Sequence, residues 1–137
     1  MTPRRWLVAA MTALAAGSLL LVGLPACNTP FIPLPPPADP TFMPVAVSDG
    51  MGGMRMMWET RGGASPAMAE AKVSIFNASV GAGVIVRAQP DGSYVAAPLD
   101  GHDGDRVEID YISKDRRSSP GICRILHPGP ALTDCPH

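Results

Sequence analysis

Three hydropathy regimes follow one another along this chain. Residues 6–23 form an apolar stretch broken only by Thr12 and Ser18. Residues 28–44, NTPFIPLPPPADPTFMP, are dominated by proline. From Val45 onward, apolar and polar residues alternate in short runs bounded by turn formers, the period-two pattern of strands that bury one face.

That last regime predicts about seven strands. Val45–Val47 is a brief first strand closed by Ser48-Asp49-Gly50, and Met54–Thr60 is a second, after Met51-Gly52-Gly53. Ala71–Asn77 puts Val73 and Ile75 on one face, with Lys72 and Ser74 on the other. Val84–Ala88 is apolar and β-branched. Pro90-Asp91-Gly92 is the clearest turn, because proline presets its first corner and glycine takes the positive φ that closes it. It predicts a hairpin of Val84–Gln89 with Ser93–Ala97. Arg106–Ile112 alternates with Val107, Ile109 and Tyr111 inward, and Ile122–Leu126 is the last strand. Pro66–Lys72 suggests at most one helical turn. The expected fold is all-β: a small antiparallel sandwich over residues 45–137.

The proline-rich run can extend neither a helix nor a sheet, since each proline fixes φ and removes a donor. It predicts a semi-rigid spacer over residues 27–44, about 50 Å long at ~3.1 Å per residue, the alternative being irregular coil docked on the domain through Phe31, Ile32 and Leu34. The apolar run before it follows Arg4 and Arg5 and ends in Leu24-Pro25-Ala26-Cys27. A basic start, an apolar middle and small residues before a cut describe a signal peptide over residues 1–26. The closing four residues resemble the lipobox of bacterial lipoproteins, with Leu24 and Ala26 matching and Pro25 less usual there. The resemblance implies that Cys27 is acylated and becomes the first residue. The competing reading is an uncleaved span, for which the apolar run is just long enough. Asn28, in place of an aspartate, leans toward the outer membrane if the host has one.

Composition narrows the classes. A formal net charge of −1, with no basic stripe outside the leader, argues against nucleic-acid partners. The 14 Gly and 16 Pro among 137 residues imply many turns, and 5% aromatic content leaves the core to Val, Ile, Ala and Met. Of three cysteines, Cys27 has its own fate, which leaves Cys123 and Cys135 to pair. An oxidising compartment permits that disulfide.

Residues 69–120 resemble the immunoglobulin-like or carboxypeptidase-regulatory-like repeats of bacterial surface proteins. The matching pieces are Val73-Ser74-Ile75-Phe76-Asn77, Gly81, Val84-Ile85-Val86, Asp91-Gly92-Ser93-Tyr94 and Gly104-Asp105-Arg106-Val107-Glu108-Ile109. Where such repeats continue with a glycine-containing turn, this chain has Lys114-Asp115-Arg116-Arg117-Ser118-Ser119. The resemblance implies a structural, spacing or binding module and brings no catalytic residues.

Other chemistry is thinly marked. Met51, Met54, Met56 and Met57, with His102, His127 and His137, suit Cu(I), yet methionine at strand spacing also fits ordinary core filling or the N-terminal edge of the domain. Asp100, Asp103 and Asp105 offer oxygens for Ca²⁺ but lack the EF-hand order. Lys114, Arg116, Arg117 and Arg124 form a mild basic cluster suited to an anionic glycan or lipid head group. No nucleophile elbow, phosphate loop or zinc-protease motif occurs. The expectation is a lipid-anchored envelope protein, not an enzyme and without cofactor, whose partners are membrane lipid through acylated Cys27 and another envelope protein. The alternative is a periplasmic copper-binding lipoprotein.

Overall fold

The computed structural model describes residues 32–136, so the leader, Cys27 and His137 lie outside the described residues. The strands are β1 (Thr41–Ser48), β2 (Met54–Gly62), β3 (Lys72–Asn77), β4 (Ala82–Arg87), β5 (Tyr94–Val95), β6 (Arg106–Ile112), β7 (Ile122–Ile125) and β8 (Gly129–Pro130). One 3₁₀ turn, Pro66–Met68, falls where a single helical turn was expected. Two four-stranded antiparallel sheets result, in the orders β5-β2-β1-β8 and β4-β3-β6-β7. The chain changes sheet between β2 and β3, on each side of β5, and again before β8. The fold is therefore the small β-sandwich that the alternation predicts.

The core lies between the sheets. Val73 and Ile75 of β3 meet Val107, Ile109 and Tyr111 of β6, opposite Phe42, Trp58, Tyr94 and Leu99 of the other layer, all buried. Cys123 and Cys135 are disulfide-bonded, their Cα atoms 5.4 Å apart, and so fasten the C-terminal tail to β7. Closing a loop of this length contributes about 3 kcal/mol in the chain-entropy account. For a domain of this size that is a large share of the net stability.

Two expectations need correction, and a third needs refining. The spacer does not stand clear of the domain once it reaches Pro33. Pro37 and Pro40 are buried, and Leu34 packs against the core. The Tyr111 hydroxyl donates to Pro35 O at 2.9 Å, and Arg124 Nε donates to Asp39 Oδ1 at 2.8 Å. β1 then opens at Thr41, four residues before Val45, and supplies the fully buried Phe42. The compact unit therefore begins at Pro33. Proline obscured this because it leaves no period to read.

Pro44 is tolerated inside β1 for a definable reason. Pro40 O accepts from Ala131 N at 2.8 Å, and Trp58 exchanges both its backbone bonds with Leu99, outside the β1–β2 pair. Even-numbered residues of this hairpin thus aim their backbone groups away from it. Pro44, opposite Trp58, sacrifices no ladder bond.

The second correction concerns the hairpin. The Pro90-Asp91-Gly92 turn exists, with Gly92 at φ 85° and Gln89 N donating to Ser93 O at 2.8 Å. Its arms nevertheless join different sheets, β4 pairing with β3 and β5 with β2. Distant partners decide this. Ala96 N reaches Thr60 O at 2.9 Å, while Ser65 N holds Asp91 O at 2.9 Å and Glu70 N holds Gln89 O at 3.1 Å. Gly92 passes so close to residue 65 that a Cβ there would lie 1.8 Å from Ser65 O.

The third point concerns methionine, expected in the core or at the N-terminal edge. Met54 and Met56 share the face of Trp58 and Thr60, yet they are 67% and 57% exposed. They lie at the turn end of the β1–β2 hairpin, beside Met51, which is exposed as well. Core filling applies to Met57 and Met68, both buried.

Candidate functional site

Strand register collects charge at one end of the second sheet. Lys72 opens β3 and stands opposite both Arg87, the last residue of β4, and Ile112, the last of β6. All three point outward, because Val73 and Tyr111 take the core face. Beyond Ile112 the chain makes a tight loop. Ser113 N donates to Arg117 O at 2.9 Å, Arg116 N to Ser113 O at 2.9 Å, and Arg117 N to Ser113 Oγ at 3.2 Å. Closing it holds Arg116 at φ 61°, an unusual conformation for a side chain of this size.

Glu70, Lys72, Arg87, Ile112, Ser113, Lys114 and Arg116 line an open cleft of about 640 Å³ here. Four cations thus meet one carboxylate. Among the described residues none of the four lies in an ion pair. Arg124, expected beside Lys114, is elsewhere: it bridges Asp39 of the entering segment and Asp134 of the tail. The cleft is built to hold an anion by charge. It presents no nucleophile–base pair.

The opposite end is acidic and internally bonded. Asn77, the last residue of β3, is fully buried and donates from Nδ2 to Asp100 O at 3.1 Å and to Asp105 Oδ2 at 2.9 Å. Its Oδ1 accepts from Ser79 N at 3.0 Å, and Asp105 Oδ2 also accepts from His102 N at 2.8 Å. Burial raises the Asp105 pKa, but the bonds from Asn77 and His102 outweigh it and leave the carboxyl below its ordinary 3.8. Asp49 is lowered by the N–H groups of Met51 and Gly53, which it caps in the β1–β2 turn.

The three aspartates read as Ca²⁺ donors have diverging partners. Asp100 pairs with Arg55, Asp103 meets His127 Nδ1 at 2.8 Å, and Asp105 faces Asn77. Among the described residues, no group of three or more His, Cys, Asp or Glu side chains is arranged to hold a metal. The copper candidates divide between the hairpin and the loops. Met51, Met54 and Met56 are exposed on the hairpin and Met57 is buried. His102 shares a cavity with Met56 and Arg55, while His127 is engaged by Asp103.

Lys72 and Arg87 escaped sequence reading as site residues. The signal was present: each is the outermost polar residue of an alternating strand, and a turn near Gly81 sets them opposite one another. Cys27, the expected lipid site, lies outside the described residues. Among those residues no helix is long and apolar enough to cross a membrane. No protein-family model matches the chain, and neither a curated protein nor a solved structure matches it.

Proposed function

We propose that the chain is a lipid-anchored protein of the bacterial cell envelope, whose sandwich serves as a non-catalytic structural or protein-interaction module. The observation that carries this reading is the apolar leader ending in Leu24-Pro25-Ala26-Cys27. Cysteine is the residue such a site needs, because its thiol carries the diacylglycerol. Each buried methylene adds about 0.8 kcal/mol, so several acyl chains anchor durably where one does not. The Cys123–Cys135 disulfide fits an exported domain. The likeness of residues 69–120 to surface-protein repeats supports a binding or spacing role, and Asn28 favours an outer-membrane destination in a diderm host.

The test is mass spectrometry of the mature N-terminus in a bacterial host. Acylated Cys27 as first residue is expected, with the mass lost in Cys27→Ser. An intact Met1, or an unmodified start further along, overturns the reading. Copper handling has a narrower basis, three exposed hairpin methionines, and a Cu(I) titration without a tight site removes it.

A further inference from the structure

We infer that the basic end of the sandwich, built by Lys72, Arg87, Lys114 and Arg116 around exposed Ile112, seats on the anionic phosphate head groups of the membrane that holds the chain. The inference rests on the lipid anchor proposed above and adds an orientation: this end down, the β1–β2 hairpin away.

Charge is the first argument. The sequence carries 11 Lys and Arg against 12 Asp and Glu, and two of the basic residues, Arg4 and Arg5, belong to the leader. Four of the remaining nine converge on one cleft lined by a single acid, Glu70, with Asp115 between Lys114 and Arg116 in the adjoining loop. The acids Asp49, Asp100, Asp103 and Asp105 gather at the far end, where Asn77 closes β3. A molecule polarised in this way is turned by a negatively charged surface before it touches it.

The entry of the chain is the second argument, and it is independent of charge. Pro35 is held by the Tyr111 hydroxyl, and Tyr111 is followed directly by Ile112 and the basic loop. The polypeptide therefore docks on the core-facing side chain of the residue that precedes Ile112 and the basic loop. Between Cys27 and Pro33 there are six peptide steps, which span about 20 Å at most. The docking of residues 33–40 has removed most of the expected spacer, which leaves few residues between an anchored Cys27 and the domain. Screening lengths of about 8 Å at physiological salt make that closeness matter.

Composition at the contact is the third. Ile112 is 46% exposed in the middle of the cationic row, and Ile85 of the same outer face is 71% exposed. Basic and apolar side chains side by side suit the boundary between phosphates and acyl chains.

The experiment uses the full, lipidated protein reconstituted into vesicles of phosphatidylcholine alone or of phosphatidylcholine with phosphatidylglycerol. Flotation on the neutral vesicles reads the anchor. Amide hydrogen exchange across residues 112–117 reads the docking. Slower exchange of this loop on the anionic vesicles only, reversed by added salt, is expected. Each basic side chain near an anionic leaflet strengthens association about fivefold, so Lys114→Gln with Arg116→Gly weakens docking about thirtyfold and abolishes the protection. Arg116→Gly also relieves the positive φ, which guards the variant against misfolding. Failure to float on neutral vesicles sinks the anchor and this inference with it. Flotation with equal exchange on both vesicles sinks the docking alone. Protection by a soluble anionic polysaccharide but not by vesicles also overturns it, and reassigns the end to a glycan.

Discussion

Replacing Asn77 with alanine tests whether one buried amide ties the acidic loops to the sheet. The side chain makes three hydrogen bonds, to Asp100 O, Asp105 Oδ2 and Ser79 N, with no exposure to water. A net contribution of about 1 kcal/mol for each, and somewhat more for the bond to the carboxylate, gives a loss of about 4 kcal/mol. With a urea m-value of about 1.5 kcal/mol/M, the unfolding midpoint falls by about 2.5 M. The pH profile adds a signature. Asp49, Asp91 and Asp105 all lie below 3.8 in the folded chain, Asp91 through the hydroxyl and N–H of Ser93. Carboxyls with depressed folded pKa values contribute stability above their unfolded value and lose it as pH falls toward the folded one. Stability is therefore level near neutrality and declines below about pH 4. In Asn77→Ala the part of the Asp105 share that Asn77 supplies is lost, while the bond from His102 N remains, and the acid decline becomes shallower. Urea titrations at pH 7 and pH 3, followed by circular dichroism, read both effects. A midpoint shift under about 0.5 M at pH 7, or an acid decline as steep as in the parent, refutes the reasoning.

Two further outcomes follow from buried groups. The Tyr94 hydroxyl is buried without a hydrogen-bond partner among the described residues, and burial pushes its pKa up to about 12. Below its ordinary value of 10 the raised pKa costs nothing, and the fold loses stability as pH climbs from there toward 12. Tyr94→Phe removes the unpaired hydroxyl, raises stability by about 1 kcal/mol and flattens this alkaline decline, as thermal melts between pH 7 and 11 will show. Cutting the chain at residue 41 instead of 33 deletes the Pro35 and Asp39 bonds and the packing of Leu34, Pro37 and Pro40. The shorter piece should melt about 10–20 °C lower, for a loss of about 3 kcal/mol. Equal melting temperatures would restore the free spacer.

The sandwich was legible wherever one face of a strand is buried along its whole length. Val107, Ile109 and Tyr111, with Val73 and Ile75, alternate without exception and sit where alternation puts them. What stayed hidden depended on partners far away in sequence. Pro90-Asp91-Gly92 announces a turn, but only Thr60 and Trp58 determine which sheet the chain enters next. Met54 and Met56 have the right period for a core, yet they lie at the turn end of their hairpin and are exposed, which period alone does not reveal. The basic end was half legible. Lys114 and Arg116 are neighbours in the chain, whereas Lys72 and Arg87 join them only through cross-strand register.

Arg124, clamped between Asp39 near the start of the domain and Asp134 near its end, has a mechanical consequence. Tension arriving from the N-terminal side meets the bond from the Tyr111 hydroxyl to Pro35 and then this clamp before it reaches β1. The disulfide holds the same corner from the other terminus. A load on the tether is thus met at this corner by side-chain bonds and a covalent bridge before it reaches the β1–β2 ladder.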